Sequence, residues 1–367
     1  MLAIVATALR SPHGSSADEL ASAIADNEAR ADLDKELVDD YGFPVMSARS
    51  EDAHDDMLQD EIADWMEGHG LQVRLSDEQW RALTLGTAVA AELGSLAAGD
   101  LMPSEGAPPT LQLTLMLPHD WAIEIRRAVT MWFKHTVSQY GWPEASIITT
   151  DRPDQDQVSP SALLAQMMPT KPAAGTRQVA LVIACASLIG QESVDRLAAQ
   201  SALFTSSQAR GRIPGEGAAG LLLTDLQLAQ SCSAEFALLG PISERRRDSS
   251  ADETRRADST RLLEMVEQVR KEAAVDISQI NMIVADTAHR PNRVLELMGL
   301  SAPAIPQVDA ADDIVRIGLG SGSCGAVPFV TVLALARHYA LERGAPVLCV
   351  GNEDPILRSV ALVRPPA

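Results

Sequence analysis

Ile213-Pro-Gly-Glu-Gly-Ala-Ala-Gly-Leu-Leu-Leu-Thr224 is the stretch that decides the fold. Its first part is small and turn-forming, and its second is an unbroken apolar run. A glycine-rich turn passing straight into such a run predicts a strand covered on both faces, entered where the backbone approaches a neighbour closely. Glu216 is the only charge in the segment and is placed to accept hydrogen bonds from nearby backbone.

Outward from it the pattern repeats. Residues 178–185 and 236–242 read as further apolar strands, and 2–9 as the first. Ser11-Pro-His-Gly14 is a turn, and Ser16 with Glu19 is a capping box opening a helix with Leu20 and Ile24 on one face. Ser76 with Gln79 opens a second helix, to about Ala97. A strand at 111–117 precedes a helix capped by Asp120, with Trp121, Ile125, Val129 and Trp132 on one face. A short strand at 145–150 and helical turns at 161–168 follow. The later chain gives a helix on Leu262, Met265, Val266 and Val269, a strand at 280–285 and a short helix at 292–298. A strand near 315–319, a long helix at 326–342 and strands at 346–350 and 360–363 complete it. Strands alternating with helices predict α/β layers around a buried, mainly parallel sheet.

Charge narrows the function. Residues 1–110 hold 22 Asp and Glu against 6 Lys and Arg, a balance of −16 in a chain of formal charge −20. Nucleic acid is excluded as a partner, because phosphate binding needs a basic face. His54, Asp55, Asp56, Asp60, Glu61 and Asp64 fall at helical spacing as a solvated acidic face, with no second His to make a metal site. No metal or other cofactor is expected. No run of about 18 apolar residues suggests membrane insertion, and the first residues lack the basic flank of a signal peptide. Cys185, Cys232, Cys324 and Cys349 show no paired spacing and read as free thiols in a reducing cytoplasm. Residues 244–261, charged and serine-rich, are expected to form a mobile surface loop with Arg245, Arg246 and Arg247 solvated.

Three segments together resemble the β-ketoacyl synthase and thiolase superfamily. They are Ala3-Ile-Val-Ala-Thr-Ala-Leu-Arg-Ser-Pro-His-Gly14 with the helix after it, the segment around Gly215-Glu216-Gly217, and Gly318-Leu-Gly-Ser-Gly-Ser-Cys-Gly-Ala326 with its helix and strand. The resemblance implies a thiolase-like αβαβα fold of two similar halves. These are residues 1–225, with an acidic helical insertion at about 45–100, and 226–367, with the charged loop 244–261. Gly215, Glu216, Gly217, Gly318, Gly320 and Gly325 match the family's structural motifs.

The same resemblance implies a site that this chain does not fill. Condensing enzymes use a cysteine at a helix N-terminus, where the dipole favours thiolate, and two His, or His and Asn, around the developing charge. No cysteine occurs before Cys185, and Ser159 stands where the thiol belongs. His289 lies near the first histidine position but outside its motif, and Cys324 lies where the second histidine belongs. The expected catalytic set is therefore none. Phrases at 30–34, 37–49, 202–204 and 213–217 further resemble the adaptors encoded beside lipase effectors of the type VI secretion system. That implies a cytoplasmic pseudoenzyme acting as adaptor or chaperone, with a lipase-type toxin and a secretion-spike component as partners. The alternatives are an acyl-transfer enzyme with a reorganised site using Ser159, His289 or Cys324, and an acyl-binding pseudoenzyme. A homodimer through the 178–184 strand is also left open. An enzyme should place Ser159 or Cys324 within hydrogen-bond reach of a His; an adaptor should show that site collapsed or filled with apolar side chains, and an exposed apolar patch elsewhere.

Overall fold

A computed structural model describes residues 2–102, 108–150, 158–168, 178–232, 234–253 and 257–366. In chain order the first part holds β1 (Leu2–Arg10), α1 (Ala17–Ala25), β2 (Asp32–Val38), β3 (Pro44–Ser47), α2 (Asp56–Gly68) and α3 (Asp77–Leu101). Next come β4 (Leu111–Met116), α4 (Ile123–Ser138), β5 (Ile147–Thr149), α5 (Pro160–Met167), β6 (Val179–Ser187), α6 (Gln191–Ala199), β7 (Glu216–Asp225) and α7 (Leu226–Ser231). The second part holds β8 (Ala237–Arg246), α8 (Thr260–Ala273), β9 (Met282–Ala285), α9 (Pro291–Ala304) and β10 (Ile314–Arg316). It ends with α10 (Gly318–Ser321), α11 (Val327–Arg343), β11 (Val347–Gly351) and β12 (Leu357–Arg364).

Ten of the twelve strands form one sheet, in the order β10-β9-β11-β12-β8-β1-β7-β6-β4-β5, and β2 pairs with β3 in a separate ribbon. That order contains a duplication. β5-β4-β6-β7-β1 and β10-β9-β11-β12-β8 each place their third, second, fourth, fifth and first strands side by side. In each set the fifth strand runs against the other four, so the strands are mainly parallel in direction. The sets join where β1 and β8 pair antiparallel, Leu2 opposite Leu239.

Side-chain alternation builds the layers. All nine residues of β6 are buried. Ala180, Val182, Ala184 and Ala186 face one core together with α11, while Val179, Leu181, Ile183 and Cys185 face another with α3 and α4. α11 packs against strands of both sets. α8 and α9 cover the far face of the second set. The result is an αβαβα stack with α1, α5 and α11 in the middle. The two central helices are unequal: α5 has 8 residues and α11 has 17.

Several expectations need correction. β6 lies between β4 and β7, so it has no free edge for a dimer to use. α3 starts at the predicted box, but it is the main outer helix of the first set rather than part of an insertion, packing on β6, β7 and β1. Among the described helices α3 alone is long and apolar enough to cross a membrane, and 61% of that window is buried here. Ser16 caps α1 through the Glu19 N–H, but Glu19 turns to Ser15, so the box is half made. α4 begins after Ala122 without a side-chain cap, while Asp120 meets Arg196 at 3.5 Å. The β2–β3 ribbon was not foreseen. Segment 244–261 begins as strand, and Arg247 is an ion-paired residue with 10% of its side chain exposed. Residues 254–256 of it lie outside those described.

Candidate functional site

The motif residues of the first set converge on Glu216, the first residue of β7, which has no exposed surface. Its side chain points to the outer layer. The Ser76–Gln79 box fixes the start of α3 and so brings Arg81 over it. Arg81 Nε donates to Glu216 Oε2 at 2.8 Å, and a second nitrogen donates to Oε1. Ser187 Oγ adds 2.9 Å and the Ser50 N–H 2.7 Å. Arg81 also donates to the Ser50 carbonyl at 2.9 Å. A buried carboxylate is tolerable only when paired and hydrogen-bonded, and here both oxygens are occupied. Of its partners, one is the nearby backbone expected; Arg81 and Ser187 were not foreseen.

The glycines let a second segment close on this hub. A Cβ on Gly215 would stand 2.0 Å from the Ser321 carbonyl, and one on Gly318 would stand 2.3 Å from the Asp286 carbonyl. Gly217 is pressed against the Arg10 carbonyl and Gly320 against His13 and Ala29, while Gly325 adopts φ +61°. Between the segments a small, partly open void of about 10 Å³ remains, lined by Arg10, His13, Glu216, Ser321 and Thr331 among others. That is room for about one water and no acyl chain.

Each of the three degenerate positions has partners of its own. Ser159 is the N-cap of α5 and accepts from the Ala162 N–H at 3.1 Å. Its hydroxyl and that of Ser161 both donate to Glu244 Oε2 on β8. Cys324 is buried, and its thiol donates to the Ser321 carbonyl at 3.5 Å. Burial, reinforced by the Glu216 carboxylate, pushes that thiol up to about 12, which leaves no thiolate near neutrality. His289 packs edge-on against Phe204, ring centroids 4.7 Å apart. Burial lowers its pKa, opposed by Glu353 and by a hydrogen bond with the Gly211 backbone. Among the described residues neither Ser159 nor Cys324 has a histidine as hydrogen-bond partner.

The loops that follow β9 and β11 are tied together by charge, not by apolar filling. Arg358, at the start of β12 and fully buried, donates from Nε to Glu296 Oε1 at 2.8 Å, and Arg247 donates to the same oxygen at 3.0 Å. Arg290 binds Glu353 at 2.7 Å and Asp252 at 2.9 Å, and Arg293 reaches Asp252 at 2.6 Å. Asp286 accepts from the N–H groups of Asn352 and Glu353 at 2.8 and 3.0 Å. Asp286 keeps some accessible surface, yet crowding by protein atoms and repulsion from Glu353 push its carboxyl up to about 7, against those N–H groups and Arg358. Among the described residues no cluster suited to a metal ion occurs. Sequence reasoning missed this network because its members are scattered among ordinary surface-type residues, and only burial distinguishes them.

No family model and no curated protein matches this sequence. Solved structures do match in shape over the whole chain. A ketosynthase from module 6 of the bacillaene synthase of Bacillus subtilis 168 aligns with TM-score 0.61 at 12% identity, covering 72% of that chain. A ketosynthase solved bound to a hexaketide, in complex with its type II polyketide synthase acyl-carrier protein, aligns with TM-score 0.65 at 13% identity over 99% of that chain. The ishigamide ketosynthase/chain length factor gives 0.57 at 14% identity, again over 99%. At such identity the likeness is one of fold: this chain has the thiolase-like fold of the ketosynthases.

Proposed function

We propose that this chain is a non-catalytic, cytoplasmic adaptor or chaperone that binds a lipase-type toxin effector and helps load it onto the type VI secretion spike. The observation that carries the loss of chemistry is the arrangement at Ser159. A serine capped onto Glu244 replaces the thiol, while Cys324 and His289 are engaged elsewhere. The partner's class rests on the sequence resemblance at 30–49 and 202–217. The acidic balance of residues 1–110 and the smallness of the void beside Glu216 are consistent with a scaffold that binds protein instead of acyl chains.

One observation favours a second reading, acyl transfer through Ser159. Its hydroxyl faces a carboxylate at a helix N-terminus, and an open groove of about 340 Å³ lined by Ala165, Met168, Leu239 and Ile242 lies at the other end of that helix. Two experiments separate the readings. Affinity capture from the native cytosol should recover the lipase encoded beside this chain together with a spike component; recovery of acyl-carrier protein instead would sink the adaptor role. Incubation with acyl thioesters followed by intact-mass measurement should show no adduct. An acyl adduct that disappears in Ser159→Ala would establish the enzyme.

A further inference from the structure

The β2–β3 ribbon displays apolar side chains in an arrangement that packing does not require. The whole chain has only five Phe and three Tyr, and two of these sit at the ribbon's tip with Tyr41 85% and Phe43 66% exposed. Leu33, 60% exposed, lies towards the other end of the ribbon, opposite Met46.

The tip is built rather than loose. Asp39 accepts from the N–H groups of Tyr41 and Phe43, both at 2.9 Å. The Gly42 N–H returns to the Asp39 carbonyl at 2.9 Å, and Gly42 takes φ +80°, which a residue with a Cβ rarely adopts. The base is anchored as firmly. Leu37 and Val45 are buried against Val194 and Leu197 of α6, and Gln191 bonds the Val38 backbone in both directions. Asp34 takes two hydrogen bonds from Arg49 and one from Ser47. A backbone pre-ordered by a hydrogen-bonded turn loses little freedom on binding, which favours an interface anchor built on it.

Charge says what such a surface meets. Asp40 is exposed in the turn beside the aromatics, Asp32 and Glu36 are exposed further along β2, and Asp195 is linked to the ribbon through Gln191. Arg49 is taken up by Asp34 and Glu36, which leaves Lys35 as the cation of the ribbon that has no ion pair among the described residues. An acidic rim repels anionic lipid and nucleic acid. It also repels a second copy of a chain whose own charge is −20. On the adaptor reading, we propose that the β2–β3 ribbon is the docking surface, with Tyr41 and Phe43 entering an apolar site rimmed by basic residues on the effector.

The test uses the full chain and, as probe, the purified lipase encoded beside it. Tyr41→Ser with Phe43→Ser should weaken binding on the order of 30-fold or more. Asp32→Lys with Asp40→Lys should slow association and flatten its salt dependence. Parent-like affinity in both variants, with the parent itself binding, overturns the assignment alone. A parent that does not bind the lipase overturns the adaptor reading and this surface with it. Loss of self-association on sedimentation of the aromatic variant would overturn it by giving the surface to a second copy.

Discussion

At the start of the fifth strand of the first set, a carboxylate, Glu216, is held by Arg81 from the outer helix α3. At the same place in the second set, an arginine, Arg358, is held by Glu296 from the outer helix α9. The strand order is repeated, the helix that supplies the tie is not, since α3 follows the first strand of its set and α9 the second, and polarity is reversed. The fold therefore calls for a tie between an outer helix and the start of the fifth strand, and is indifferent to which side carries the negative charge. The two ties differ in quality. Glu216 has both oxygens bonded, whereas Nη2 of Arg358 is buried without a partner among the described residues and Glu296 also serves Arg247.

That difference ranks the expected effects. Glu296→Leu strands two cations, one fully buried, and should cost about 4–5 kcal/mol in urea unfolding at pH 7. Arg81→Met strands one carboxylate that keeps Ser187 and the Ser50 N–H, and should cost about 3 kcal/mol. A larger loss in Arg81→Met would break the comparison, placing the weaker tie in the first set.

Asp286 tests whether the second set is the strained one. Its folded pKa is raised, so the folded state holds a proton the unfolded chain has released, and stability falls as pH rises from about 4 to about 7. Above pH 7 its ionised form is a liability. Asp286→Asn should keep the Asn352 and Glu353 N–H bonds, add on the order of 1–3 kcal/mol at pH 8, and lose that gain near pH 4. A variant no more stable than the parent at pH 8 would show that the ion pairs around Asp286 already compensate it. Arg247→Met is milder. It removes a partly exposed partner while Glu296 keeps Arg358, so about 1 kcal/mol is expected from the same unfolding measurement.

What the sequence showed and hid follows from range. β6, β7 and α11 were legible because each is a local apolar run, and the capping box of α3 was legible because its two members lie three residues apart. The ties were not. Arg81 and Glu216 are separated by 135 positions, and Arg358 and Glu296 by 62. Nothing local marks a charge that folding will bury. Arg247 shows the same limit, since a run of three arginines beside serines and acids reads as solvated until α9 is laid over it. The ribbon escaped notice for the opposite reason. Asp-Leu-Asp-Lys-Glu-Leu-Val carries more charge than a strand pattern usually does, because Asp34 is buried by pairing with Arg49 rather than by any apolar character of its own.

The comparison extends to the segments after the first strand of each set. In the second set the chain beyond β8 folds back, and Arg247 and Asp252 tie it to α9 and to the loop after β9. In the first set the corresponding stretch projects Tyr41 and Phe43 into solvent. Side chains that touch little in the folded state add little to its stability, so Tyr41→Ser with Phe43→Ser should leave the unfolding free energy within about 0.5 kcal/mol of the parent. Asp34→Asn should not behave this way. Burial alone would raise the Asp34 carboxyl, but the bonds from Arg49, Ser47 and the backbone of Glu36 and Leu37 outweigh it and hold the group well below the usual carboxylate range. Its contribution is therefore present above about pH 4 and lost as pH falls below that value. If the tip variant were as destabilising as the anchor variant, the aromatics would be part of the ribbon's own packing, and their exposure would need no partner to explain it.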